Sequence, residues 1–414
     1  MKLNAFEQAM RAGEMGAARQ RAIEQQIQVG RFFDAEDFVE VVQAHIMADT
    51  ESLGEAGVRF LEELAAEPES DNRVCIPTIT DPRGADFNTF ERIRHDPAYV
   101  ELERRADQAF RALGILMTDT CINYQTILPP VRGEHLAMGD TGVVIYSNSV
   151  FGARTNYEGG PSALAAALTG RTPRYGFHLD EMRRGTRLFR VEQQPTDWSQ
   201  WGALGGFIGR EMGSYYDVPV LDGITSPPGS DDLKHFGAAM ASFGSTALFH
   251  MIGVTPEAPD LATVFANPVP PARAIKAKDI TDFFASYAMP DDALDVVVFA
   301  APQLSLFELD RLAGLLQGQQ IHADVSLLIA TSPENKRAAE RMGLDARISK
   351  SGAILMEGVC FYQMHARELG EANGWKRLMT NSAKLVNIIG GYGYEPMLAD
   401  MERCVASAIA GRIV

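Results

Sequence analysis

The stretch LDVVVFAAPQLSLFELDRLAGLLQGQQIHADVSLLIAT, residues 294–331, decides the fold. It opens on LDVVVFA (294–300), a nearly unbroken apolar run, and closes on a second one, DVSLLIAT (324–331). A strand with one face in water alternates apolar and polar side chains, whereas a strand covered on both faces does not. Between the runs, 304–317 predicts a helix, and 333–342 predicts another. Continuous apolar strands alternating with helices mean a parallel sheet covered on both faces, which is an α/β fold. Residues 349–414 alternate again and end on the helix MLADMERCVASAIAG (397–411).

Upstream, ANPVPPARAIKAKDITDFF (266–284) is proline-rich and then helical, the pattern of a domain boundary. It sets a C-terminal α/β domain at 286–414 and a second α/β region at 73–285. Residues 1–72 read as an N-terminal helical segment, with a turn at Gly13 and Gly16. RVCIPTIT (73–80), LGILMTD (113–119) and GVVIYSN (142–148) read as strands. PSALAAALTG (161–170) reads as a helix with Pro161 in its first turn and Gly170 at its end. A helix is expected from about residue 199, rich in small residues for close packing, and 233–254 reads as a helix running into a strand.

The chain has 414 residues, 46% of them hydrophobic, enough for two or three packed units. No window approaches eighteen apolar residues, so no membrane span is expected. The N-terminus lacks a signal peptide's apolar core, which points to a cytoplasmic protein. A net charge of −16 argues against nucleic acid, whose phosphates most of the surface would repel. HEXXH and GxSxG are absent.

Four groups of residues carry chemistry. In MTDTCINYQ (117–125), Cys121 sits where a strand gives way to a polar loop, as a thiolate ligand, a nucleophile or a structural cysteine. In SNSVFGARTNYEGG (147–160), Arg154 has the planar fork that clamps a carboxylate or phosphate, unless it pairs with Glu158. Asn148, Ser149, Thr155 and Asn156 supply neutral hydrogen-bonding groups there. In HMIGVTPEAP (250–259), Thr255 and Glu257 either start a helix or line a pocket rim with His250. In MTNSAKLVNIIGGYGYEP (379–396), Ser382 and Lys384 follow a polar turn, where Lys384 is a solvated lysine or an anion holder. Cys75, Cys121, Cys360 and Cys404 contain no CxxC pair and form no disulfide framework.

Together these pieces resemble the aconitase X family, specifically its large catalytic subunit. The resemblance rests on GEMG (13–16) and AHI (44–46), Cys121 with Tyr124, and SNSVFGARTNYEGGPSALAAALTGRTPRYGFH (147–178). HMIGVTPEAP, TNSAK (380–384) and the late cysteines Cys360 and Cys404 continue it. It implies an aconitase-like fold of three α/β units corresponding to aconitase domains 1–3. The swivel domain, absent from this chain, would come from a small partner subunit. It also implies an iron–sulfur cluster on Cys121, Cys360 and Cys404, or a mononuclear iron on the same ligands. One iron left open would then act as a Lewis acid.

The implied activity is that of a hydro-lyase removing water from a small hydroxylated acid. Cis-3-hydroxy-L-proline is the leading expectation and mevalonate 5-phosphate the alternative. Arg154 and Lys384 would hold an anionic group, Ser149, Thr155 and Asn156 would orient the substrate, and Asp140 would serve its amine. The base would come from the partner, or from Ser382, Asp140 or Glu257. A cluster-free aconitase-like binding protein is the rival from another class.

Overall fold

The computed structural model describes residues 1–265 and 268–414; Ala266 and Asn267, at the head of the proline-rich stretch, lie outside the described residues. Three parallel sheets organise the chain. The C-terminal sheet has five parallel strands, in the order Ile354–Glu357, Ser326–Thr331, Val296–Leu304, Arg377–Thr380, Glu395–Leu398. Its central strand, Val296–Leu304, is buried at every position. The alternation of strand side chains explains why. Val297 and Phe299 enter one core with Leu309, Leu312 and Cys404, while Val296, Val298 and Ala300 enter another with Leu369, Leu385 and Cys360. Each fully buried aliphatic or aromatic side chain adds about 1.5–3 kcal/mol of apolar transfer. The strand therefore needs apolar residues on both faces.

The middle sheet runs His250–Met251, Pro219–Asp222, Arg187–Val191, Ala272–Ile275, all parallel. Against it pack the helices Trp198–Glu211 and Ser230–Gly244. These two cross at glycines, since a Cβ on Gly205 would run into the Phe236 carbonyl. The small residues expected from about residue 199 therefore do let two helix backbones approach.

The first sheet pairs Thr78–Thr80 and Ala137–Met138 on either side of Ala44–Ile46. It joins residues on both sides of position 72. Residues 5–66 are thus not all helical. Helices Ala5–Arg11, Ala17–Phe32 and Thr50–Ala65 are interrupted by the strands Phe38–Glu40 and Ala44–Ile46. These strands are three residues long, too short to leave a period in the sequence.

GVVIYSN is a further difference. It forms the helix Thr141–Tyr146, which continues as a π-helix over Ser147–Phe151. Asp140 starts this helix by accepting from the Gly142 and Val143 amides at 2.6 and 3.1 Å. Every residue from Gly142 to Ser149 is buried, so helix and strand give the same unbroken apolar signal. LGILMTD is not one of the sheet's strands; it meets the sheet through an Ile79–Leu116 bridge and hydrogen bonds between Thr118 and Thr80. Thr255-Pro256-Glu257 starts no helix; the next one, Leu261–Val264, is capped by Asp260. Among the described residues no helix is long and apolar enough to cross a membrane.

Candidate active site

The carboxyl ends of strands in the first and C-terminal sheets face one crevice, the usual place for a ligand in parallel sheets. Asp81 follows Thr78–Thr80, and Asp140 follows Ala137–Met138. Cys360 follows Ile354–Glu357, and Ser382 and Lys384 follow Arg377–Thr380. Cys121 lies on the loop below Thr118–Thr120, which hydrogen-bonds back to Thr80.

Cys121 and Cys360 are both buried and lie close together. The partner thiol of Cys360, and then burial, push the Cys121 thiol well above its ordinary value. Gln303, near the end of the central strand, connects their loops. Its backbone N–H points at Cys121 Sγ at 3.5 Å. Its Nε2 donates to the Asp119 and Val359 carbonyls at 3.0 and 3.2 Å.

Cys404 does not join this pair. It is fully buried on the inner side of the helix Met401–Ala410, in the core with Leu309 and Leu312, and its thiol donates to the Ala399 carbonyl at 3.8 Å. Helix periodicity turns it toward the face of the sheet opposite Cys360. Among the described residues no three His, Cys, Asp or Glu side chains gather to hold a metal ion. Cys404 is thus not brought to Cys121 and Cys360, and the three cysteines expected as iron ligands do not meet. Cys75 is exposed and apart.

Beside the thiols, Lys384 Nζ stands 3.1 Å from Asp140 Oδ1. Burial alone would lower the lysine; Asp140, then Cys121, Cys360 and Asp81, outweigh it and hold the ammonium above its ordinary value. Burial would raise Asp140, but Lys384 and His45 hold it below the usual carboxylate value. Asp81 goes the other way: burial, then the Asp140 charge, raise it well above a normal carboxyl. Asp81 Oδ2 accepts from Gln363 Nε2 at 2.8 Å, while Oδ1 makes no hydrogen bond among the described residues and lies 3.7 Å from His45 Nε2. His45 Nε2 meets the Thr120 carbonyl at 2.8 Å, and burial lowers its pKa. Tyr124 OH, both amide atoms of Asn123 and Gln303 Oε1 are also buried and unpartnered among the described residues. Such groups lose water without gaining a hydrogen bond, which costs about 1–3 kcal/mol each unless a ligand or water meets them. A lysine held in its charged form, a carboxyl whose pKa is raised and buried polar atoms without hydrogen bonds, gathered in one place, can bind a small polar molecule and move a proton.

The donor-rich loop is occupied by the chain itself. Asn148 accepts from the Thr155 amide at 3.0 Å and donates to the Thr155 and Ala247 carbonyls at 2.9 and 2.8 Å. Ser149 accepts from the Phe249 amide, Thr155 donates to the Asn156 carbonyl, and Asn156 bridges Tyr175 and Phe177. Arg154 donates to the His178 carbonyl at 3.0 Å and pairs with Asp180, not Glu158. Thr255 bonds the Met251 backbone, and Glu257 accepts from Arg183 at 3.0 Å. Ser382 caps the helix Ala383–Ile389 and donates to the Ala301 carbonyl. Of the residues singled out in the sequence, Cys121, Cys360, Asp140 and Lys384 come together. Asp81, His45, Gln303 and Gln363 escaped sequence reasoning. Asp81 and Gln303 had one available signal, a polar side chain at the carboxyl end of a buried strand.

Comparison with known proteins covers the whole molecule. Residues 1–181 match the aconitase X first domain, 185–285 the aconitase X second domain and 294–410 the aconitase X third domain. The phosphomevalonate dehydratase large subunit of Methanothermobacter thermautotrophicus is 34% identical, over 94% of this chain and 94% of that protein. That of Methanosarcina mazei is 33% identical, over 100% of this chain and 98% of that protein. The cis-3-hydroxy-L-proline dehydratase of Pseudomonas aeruginosa is 32% identical, over 99% of this chain and 70% of that protein. The crystal structure of Thermococcus kodakaraensis aconitase X in its holo form superposes with a TM-score of 0.87 at 29% identity, covering 99% of this chain and 100% of that one.

Proposed function

This chain belongs to the aconitase X family of dehydratases, and from that premise we propose that it is the large subunit of a two-subunit enzyme that dehydrates mevalonate 5-phosphate. The observation that carries this reading is the match, over nearly all of both chains, to proteins named phosphomevalonate dehydratase large subunit. Their name also supports a small partner subunit.

Elimination of water removes a proton from one carbon, forms the double bond with that electron pair, and expels a hydroxyl from the next carbon. Hydroxide leaves poorly, so the departing oxygen needs a proton. Asp81 is suited to give it: burial and the Asp140 charge favour its protonated form, and Oδ1 makes no hydrogen bond among the described residues. The carboxylate left behind is stabilised by the nearby Lys384 ammonium, whose charge also attracts the substrate's carboxylate. Ser382 is committed to Ala301 and the helix start, so the base that takes the carbon-bound proton comes from the small subunit. The third cysteine expected as a cluster ligand, Cys404, stands apart from Cys121 and Cys360.

Cis-3-hydroxy-L-proline is the second reading. It is favoured by Asp140, whose carboxyl is held below its usual pKa and suits a substrate amine. The test is dehydration of each compound by the chain co-purified anaerobically with its small subunit. Turnover of mevalonate 5-phosphate alone is the expected result; turnover of the hydroxyproline alone would replace the first reading with the second. Activity without a small subunit would remove the partner-supplied base.

A further inference from the structure

We propose that Gln363 is a positioning residue of the dehydration: by donating to Oδ2 of Asp81 it leaves that carboxyl's proton on Oδ1, the oxygen with no hydrogen bond among the described residues. The inference rests on the reading of Asp81 as the acid. In a protonated carboxyl one oxygen carries the hydrogen and the other is the better acceptor. The oxygen that accepts an N–H is therefore the one without the proton.

Gln363 is held so that it cannot turn away. Its Nε2 donates at 2.8 Å to Asp81 Oδ2 and at 3.2 Å to Asp49 Oδ2, so both amide hydrogens go to carboxyls. Half a turn of the amide would set its oxygen, which only accepts, against two carboxyl oxygens. Asp49 is fixed in its turn, since it caps the helix Thr50–Ala65 by accepting from the Ser52 amide at 2.8 Å. All three side chains are buried. The backbone is fixed as well. Gln363 ends the short 3₁₀ helix Phe361–Gln363, where its N–H donates to the Cys360 carbonyl at 2.9 Å. Two residues on, the His365 amide donates to Glu51 Oε2 at 2.7 Å, so segment 363–365 of the C-terminal unit grips the 49–51 turn of the first. A Cβ on Gly84 would stand 3.1 Å from the Gln363 carbonyl, which leaves the segment little room to shift. An acid on the first unit is thus oriented by an amide from the C-terminal one.

In the elimination, the C–O bond breaks with its electron pair going to oxygen, and the Oδ1 hydrogen joins that oxygen to make water. The partner's base takes the carbon-bound proton, whose electron pair forms the double bond. Without Gln363 the acid's proton also settles on Oδ2, and the carboxyl gives it less often.

The test is steady-state dehydration by the anaerobically co-purified two-subunit enzyme, with the compound that it turns over. Gln363→Met removes both donors at similar length, and Gln363→Glu keeps the shape but puts oxygen in place of the donor nitrogen. Each should lower kcat about 10–100-fold with KM within a few fold of wild type. Far-ultraviolet dichroism and recovery of the small subunit should be unchanged. A merely structural role would repeat that loss in an Asp81→Asn enzyme, whereas a role exercised through Asp81 would not. Each Gln363 change should therefore lower kcat of Asp81→Asn by less than about twofold. Wild-type kcat in both Gln363 variants, or the full loss repeated on Asp81→Asn, would overturn the inference. Wild-type kcat in Asp81→Asn itself would instead remove the acid, and with it the reading from which the inference starts.

Discussion

Lys384 and Asp140 form an ion pair at 3.1 Å with both side chains only 3% exposed, joining the C-terminal unit to the first. Water screens neither charge, so each depends on the other. Lys384→Met strands the Asp140 carboxylate in the interior and should cost about 3–5 kcal/mol in denaturant unfolding. Adding Asp140→Asn, which still caps the helix Thr141–Tyr146, should recover part of that loss. A double variant as unstable as the sum of the two single ones would mean the charges do not interact.

Asp81→Asn keeps the shape and the hydrogen-bonding reach of the side chain but cannot give up a proton in the same way. In the two-subunit enzyme it should lower kcat by about 10²–10⁴-fold with KM within a few fold of wild type. A fall in KM affinity with kcat retained would make Asp81 a binding group and not the acid.

Glu158 gives a pH signature of stability. Burial, opposed only by the Thr172 hydroxyl at 2.7 Å, raises its pKa from 4.5 to about 7. Above 4.5 the unfolded chain has released this proton while the folded chain still holds it. Its stabilising contribution is therefore complete below 4.5 and is lost as pH rises through about 7. Glu158→Gln should flatten that decline and gain roughly 3 kcal/mol over wild type at pH 8. Equal slopes for both proteins in urea midpoints between pH 5 and 8 would contradict it.

Arg154 tests the donor-rich loop. Its guanidinium is held by the His178 carbonyl and Asp180. Arg154→Ala should cost about 1 kcal/mol of stability and leave kcat/KM near wild type. A rise in KM of a hundredfold would return the arginine to the substrate.

The C-terminal sheet was legible because Val296–Leu304 is buried on both faces, and nothing but a covered parallel strand or a buried helix reads as continuously apolar. The same ambiguity misled at GVVIYSN, where the deciding residue was Asp140, two positions before the run, acting as a helix cap. The crevice was half legible. Cys121, Asp140 and Lys384 each sit in a polar turn after apolar text. Gln303 sits inside an apolar strand and Asp81 beside a proline, and the one signal either carries is its place at the carboxyl end of a buried strand. The polar loop misleads for the opposite reason. Buried backbone needs donors and acceptors as much as a ligand does, and a π-helix turning back on itself uses Asn148 and Asn156 for that purpose.

The long separation of the two thiols along the chain fixes when the site comes into being during synthesis. A ribosome exposes Cys121 well before it makes Gln303 or Cys360. Until the final unit emerges and docks, that first thiol has neither its neighbour nor the amide that orients it. The crevice is therefore among the last features to mature. A chain halted before Gln303 would have no thiol pair at all.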